Sequence, residues 1–270
     1  MSRKKWITFL TDYGLENKFV GICHGVMARI APDARVIDVT HLVPRGDLGH
    51  GAEIFRQAVP YLPEDAVHLT VVDPGVGTPR KPVVLVVGDQ LFVGPDNGMM
   101  LRAADELGGV DAAYALDDPG FRLGTISNTF HGRDIFAPAA AHLAAGVAPE
   151  EFGPAVPVDE LIRIPDPVRR NEGDTFYAEV VVEDRFGNLQ TSLDSGFLES
   201  GGATVGTKLE LISNGETYPI PFVHTFGSVA EGEALAHIDS ADRLAVAVNL
   251  GSAANKFSLH EGDTLTLRRS

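Results

Sequence analysis

The sequence predicts a two-domain protein, an α/β domain followed by a smaller all-β domain, and three observations carry that prediction. Residues 1 to about 150 alternate short apolar runs with stretches whose apolar residues recur at three- and four-residue spacing, the pattern of a sheet with helices packed on it. A proline-rich, charged stretch at 164–173 then breaks the periodicity. Beyond it lie short runs rich in Val, Thr, Tyr and Phe, separated by turn signals such as Asn-Gly and Glu-Gly-Asp.

In the first domain, strands are predicted at Trp6–Thr11, Arg35–Val39, Ala66–Val72, Pro82–Val87 and Ala112–Leu116. Helices are predicted at Lys18–Ile30, Leu48–Val59, Met99–Leu107 and Ile135–Ala145. In the second, Phe176–Glu183, Lys208–Ile212, Ala234–Ile238, Leu244–Val248 and Thr264–Leu267 read as strands of a small β-barrel or sandwich. The 270 residues leave room for two cores, assigned to 1–165 and 174–270.

Composition narrows the function. Acidic residues (37) outnumber basic ones (22), and the formal net charge of −15 would repel a polyphosphate backbone, so nucleic acid is not an expected partner. The apolar run that follows the basic start, Trp6 to Leu10, is too short for a signal peptide, and no stretch has the length of a membrane span. The single cysteine, Cys23, excludes an internal disulfide and points to a reducing cytoplasm.

The clearest motif is the segment from Thr70 to Arg80, where an apolar strand ends at Asp73 and enters a Gly/Pro loop. Ligands of open α/β sheets bind beyond the carboxyl ends of strands, so Asp73 is well placed for chemistry, although Asp-Pro-Gly is also a common turn. The loop lacks the Lys-Ser/Thr of a nucleotide-phosphate loop and has only a partial Gly-x-Gly pattern. Asp12 is a second strand-end acid, suited to a vicinal diol or to a local turn. His131 precedes a helix for which Asp134 reads as the N-cap. Asp38, His41, Asp47 and His50 are metal-ligand types in a spacing that matches no standard metal pattern, and no metal is expected. Asp184 to Leu189 reads as a hairpin turn in which Asn188 could instead present its amide to an adenine edge.

Taken in order, Thr-Asp-Tyr-Gly at 11–14, Val-Asp-Pro-Gly-Val-Gly-Thr at 72–78, Gly-Pro-Asp-Asn-Gly at 94–98, Thr-Phe-His-Gly-Arg-Asp at 129–134 and Asp-Arg-Phe-Gly-Asn at 184–188 resemble the S-adenosylmethionine hydroxide adenosyltransferase family. The resemblance spans almost the whole chain. It implies an N-terminal α/β domain of sandwich type, a C-terminal β-barrel and a homotrimer with ligand held between subunits. It also implies hydrolysis of S-adenosyl-L-methionine to adenosine and L-methionine without a cofactor. The family's triad falls on Asp73, Arg80 and His131. For substrate, the resemblance places Asp12 on the ribose diol, Asn188 and the backbone around Val248 on adenine, Phe226 stacked on the ring, and Asp184 and Ser240 at the methionine part.

Halogenating members of the same superfamily carry a tyrosine where Asp73 stands and an inserted loop for which this chain has no obvious room. A halide-using 5′-halo-5′-deoxyadenosine synthase and a non-catalytic adenosine or S-adenosylmethionine binding module are the alternatives. In the hydrolytic reading the sulfonium leaves as a neutral thioether and needs no acid, whereas water needs positioning and a proton acceptor. Arginine stays protonated, and an arginine-paired aspartate is a weakened base, so His131 is the expected acceptor, with Asp73 orienting water.

Overall fold

The computed structural model describes residues 3–270. The chain divides into two units, Met1–Ile164 and Pro165–Ser270.

Alternation at period two builds the first unit. Ile7 and Phe9 of β1 (Trp6–Thr11) enter one apolar layer and Leu10 the opposite one. The same alternation recurs in β3 (Val67–Val71), β4 (Pro82–Val87) and β5 (Gln90–Pro95), which are buried on both faces. With β2 (Arg35–Thr40) and β6 (Ala112–Ala115) they form a six-stranded sheet of order β2-β1-β3-β5-β4-β6. The β2, β1, β3 and β5 strands run parallel, and β4 is antiparallel to both β5 and β6. One face packs on α1 (Phe19–Ile30) and α4 (Ala137–Ala144), the other on α2 (Leu48–Ala58) and α3 (Leu101–Glu106), so the sheet is the middle of three layers.

The predicted strands and helices of this unit coincide with observed ones to within a few residues at each end, with one exception among the helices. Residues 132–136 form a π-helical turn, and the α-helix begins only at Ala137. Asp134 therefore lies inside the π turn and is not an N-cap. The cause is Pro138. It has no N–H to donate to the Asp134 carbonyl four residues back, and the Leu123 N–H takes that acceptor at 2.9 Å. The Ala137 N–H bonds to Gly132 O instead, one residue beyond the α-helical partner.

The second unit is an eight-stranded antiparallel sheet. Along its path run β11 (Glu216–Pro221), β10 (Lys208–Ser213), β14 (Thr264–Arg269), β8 (Thr175–Glu183), β9 (Leu189–Asp194), β13 (Arg243–Val248) and β12 (Ala234–Ile238). A bridge between Phe222 and Ala236 brings the two ends of this path together, so the sheet is nearly closed into a barrel around Phe176, Leu193, Leu211, Leu244 and Leu267. Two short helices, α5 (Ser195–Ser200) and α6 (Ala253–Phe257), complete the unit. The stretch read as irregular at 164–173 contains β7 (Arg169–Glu172), which pairs with β8 through the backbone despite its polar sequence. Among the described residues, no helix is long and apolar enough to cross a membrane.

Candidate active site

Parallel pairing of β1 with β3 places Thr11 opposite Val71, so the connections leaving both strands emerge side by side at their carboxyl ends. The first carries Asp12, whose Oδ2 accepts the Gly46 N–H at 2.9 Å. The second carries Asp73 and turns back toward β4 through Val76 N–H to Asp73 O and Thr78 N–H to Gly75 O. Gly77 adopts φ +79° and lies so close to the Asn128 carbonyl that a Cβ would come within 2.7 Å of it. That close approach seats the Asp73–Arg80 loop against the segment leading to His131.

The three side chains meet. Arg80 Nε donates to Asp73 Oδ1 at 2.9 Å, Arg80 Nη2 donates to Asp73 Oδ2, and Nη2 also bonds His131 Nδ1 at 2.9 Å. The guanidinium lies over the Phe136 ring, 5.0 Å from its centroid, and the Asp73 and Arg80 side chains are only 7% and 9% exposed. Asp134, fully buried, accepts the Ser127 N–H and the Arg133 guanidinium, bracing the loop on the other side of His131.

An arginine has no lone pair to offer, so His131 Nδ1 must be the acceptor and the neutral ring carries its proton on Nε2. Burial and the Arg80 cation both hold the imidazole below its ordinary range, and the Asp73 carboxylate opposes them only in part. This arrangement bears on the expectation that His131 takes the proton from water. The single lone pair of the neutral ring is already engaged by Arg80, and protonating it would set two cations face to face. Each Asp73 oxygen, in contrast, keeps a lone pair beyond its arginine bond.

Sequence reasoning passed over Tyr13. Its hydroxyl lies over Gly132, where a Cβ would fall 1.9 Å from Oη, and its ring packs edge-on against Phe130. Burial, with help from Cys23, Asp12 and Asp73, raises its pKa well above the usual phenol range, so it remains an O–H donor. The signal was present in the Thr-Asp-Tyr-Gly block, of which only the acid was given a role.

In the second unit a cavity of about 510 Å³ is lined by Asp184, Asn188, Phe226 and Ser240, together with Gln190 and His237. Four of the expected substrate contacts thus share one cavity. Val248 does not line it; its carbonyl accepts the Gly251 N–H at the end of β13. Asp184 closes its turn by accepting from Phe186 N, Asn188 N and Asn188 Nδ2, which leaves the Asn188 Oδ1 and its other N–H without a protein hydrogen bond among the described residues. The Phe226 ring tilts against His237 at 4.8 Å, an exposed aromatic face at the rim.

The quartet of possible metal ligands does not assemble as the sequence grouped it. Asp47 caps α2 by accepting the His50 N–H, while Asp38 and His41 converge with His24 of α1.

A family model described as the SAM hydroxide adenosyltransferase N-terminal domain matches residues 7–153, and the corresponding C-terminal domain model matches residues 178–266. A curated (R)-S-adenosyl-L-methionine hydrolase of Salinispora tropica is 52% identical over 265 residues, covering 98% of each chain. A fluorinase of Actinoplanes sp. is 28% identical, covering 98% of this chain and 97% of its own. A crystal structure of a conserved protein from Thermotoga maritima superposes with a TM-score of 0.90 at 36% identity, covering 97% of this chain and all of that one.

Proposed function

This chain belongs to the S-adenosylmethionine hydroxide adenosyltransferase family, and on that premise we propose that it hydrolyses S-adenosyl-L-methionine to adenosine and L-methionine by in-line attack of water on C5′. The observation that carries the reading is the Arg80 guanidinium bonded at once to Asp73 and His131.

The water oxygen bonds to C5′ as the C5′–S bond breaks, and its electron pair neutralises the sulfonium to a thioether. Bond formation turns the attacking water into an oxonium far more acidic than a carboxylic acid, so even an arginine-paired carboxylate suffices as base. Asp73 accepts that proton and passes it to solvent. Arg80 holds the carboxylate in place to receive it. The Nε2–H of His131 supplies a donor that fixes the water's orientation. Asp12 takes the ribose diol. Asn188 and the Val248 backbone take adenine, Phe226 stacks on the ring, and Asp184 and Ser240 hold the methionine part.

A carboxylate at position 73 also discriminates between nucleophiles. An anionic halide would be repelled there, whereas neutral water is not, which favours hydrolysis over halogenation. The reading includes a homotrimer in the cytoplasm with ligand between subunits; light scattering coupled to size exclusion tests the assembly. Turnover in ¹⁸O-water tests the chemistry. Label in the 5′-hydroxyl of adenosine is expected. Unlabelled adenosine, 5′-chloro-5′-deoxyadenosine formed in chloride, or substrate bound but intact would each overturn the proposal.

A further inference from the structure

We propose that His24, Asp38 and His41 form a binding site for one first-row divalent transition-metal ion, with zinc as the best match. The three ligand atoms come from α1, from β2 and from the residue just past β2, and all lie within 4.8 Å of one another. His24 Nε2 and His41 Nε2 converge on the same carboxylate oxygen, Asp38 Oδ1, at 2.8 and 3.0 Å. Zinc bonds of about 2.0–2.1 Å in tetrahedral geometry put neighbouring ligand atoms roughly 3.3 Å apart. Small adjustments of the two partly exposed side chains, His24 (34%) and Asp38 (44%), would meet that spacing.

A separate observation concerns His41 itself. It is only 3% exposed, and its Nε2, 3.0 Å from Asp38 Oδ1, makes no hydrogen bond among the described residues. An unbonded nitrogen at such depth is costly unless something else satisfies it. The opposite nitrogen, Nδ1, lies 2.9 Å from Thr11 Oγ1, which already accepts the Tyr13 N–H. With Nδ1–H donating to that hydroxyl, Nε2 carries a lone pair, the tautomer a metal requires. Two imidazoles and one carboxylate suit zinc and its neighbours better than calcium or magnesium, which favour oxygen ligands, and they leave one coordination position for solvent on the exposed side.

The site shares no side chain with the Asp73–Arg80–His131 cluster. It ties α1 to the end of β2, where the His41 carbonyl also holds the Gly14 N–H of the loop that carries Asp12. Isothermal titration of the chelator-stripped full chain with Zn²⁺ at pH 7.5 tests the proposal, with Co²⁺ absorption reading the ligand set. One ion per chain is expected, with the thermal midpoint rising as metal is added. His24→Ala and Asp38→Asn should each weaken binding by at least about 100-fold, since loss of a ligand exceeds the 10–100-fold cost of losing an outer partner. His50→Ala and His260→Ala should bind as the parent does; His260 pairs with Glu183 on the surface and is the natural competing site. Far-UV circular dichroism confirms folding, and the isosteric Asp38→Asn carries the test should His24→Ala misfold. No saturable uptake, uptake unchanged in both variants, or uptake lost on His260→Ala would overturn the inference.

Discussion

Replacing Arg80 by lysine keeps one positive charge and removes the fork. The guanidinium donates through Nε and Nη2 to the two Asp73 oxygens while Nη2 also reaches His131 Nδ1, a span of three acceptors that a single ammonium cannot cover. Hydrogen bonds involving a charged group contribute about 1.5–3 kcal/mol each, and at least one of the three must be lost or misplaced. If that bond positions Asp73 and the water in the transition state, the barrier rises by about 3 kcal/mol, roughly a hundredfold in kcat. Stability should fall less, by about 1–2 kcal/mol, because the buried carboxylate keeps a counter-charge. At about 2–4 °C per kcal/mol for a unit of this size, the midpoint drops by roughly 2–8 °C. Arg80→Ala strands the carboxylate and should cost about 3–5 kcal/mol of stability. Chromatographic assay of adenosine release, with urea unfolding on the same samples, separates the two effects. An Arg80→Lys enzyme with kcat within about threefold of the parent would refute the reasoning.

Gly132→Ala should destabilise by about 1–3 kcal/mol, since the new methyl falls 1.9 Å from Tyr13 Oη, and Tyr13→Phe in the same chain should recover part of that loss; urea midpoints equal to the parent's would count against it. The neutral form of His131 persists below pH 6.5, so kcat/KM should hold through that value and fall only at lower pH; an acid limb centred at or above 6.5 would contradict the Arg80 contact. His68, fully buried between Thr8 and Gln90, has its pKa lowered to about 4 by burial. The folded chain therefore binds fewer protons than the unfolded chain between pH 6.5 and 4. Stability is complete above 6.5 and declines through that window by at most about 3 kcal/mol, and His68→Gln should flatten that part of the profile in denaturant melts at stepped pH.

Local pattern revealed the sheet strands whose ends are marked by turns, such as Trp6–Thr11 and Pro82–Val87, because burial on one or both faces writes a run into the sequence. Strand β5 was missed because Gly88-Asp89 before it and Gly94-Pro95 within it read as loop, although every one of its six residues is buried. Its place depends on pairing with β3 and β4, information that is not local. Asp73 and His131 stood out as residues at strand and loop ends, and their grouping with Arg80 came from the resemblance carried by the ordered motifs. The direction of the Arg80–His131 bond was not legible, since it depends on how two loops pack at Gly77 and Asn128. His24 escaped the metal grouping for a related reason. Only the right-handed return of a helix over parallel strands brings a residue of α1 beside the end of β2.

The missing N–H of Pro138 has a reach beyond its own turn. The offset it imposes at Ala137, six residues downstream of the imidazole, is wired through main-chain atoms, Leu123 N–H to the Asp134 carbonyl and Ala137 N–H to the Gly132 carbonyl. Side-chain replacement at position 123 leaves that wiring intact, although it loosens the packing of Leu123 on the core of the unit. A second imino acid at 123 would cut the wiring, and a reactive group more than seven residues away would lose its bearing without any neighbour having been touched.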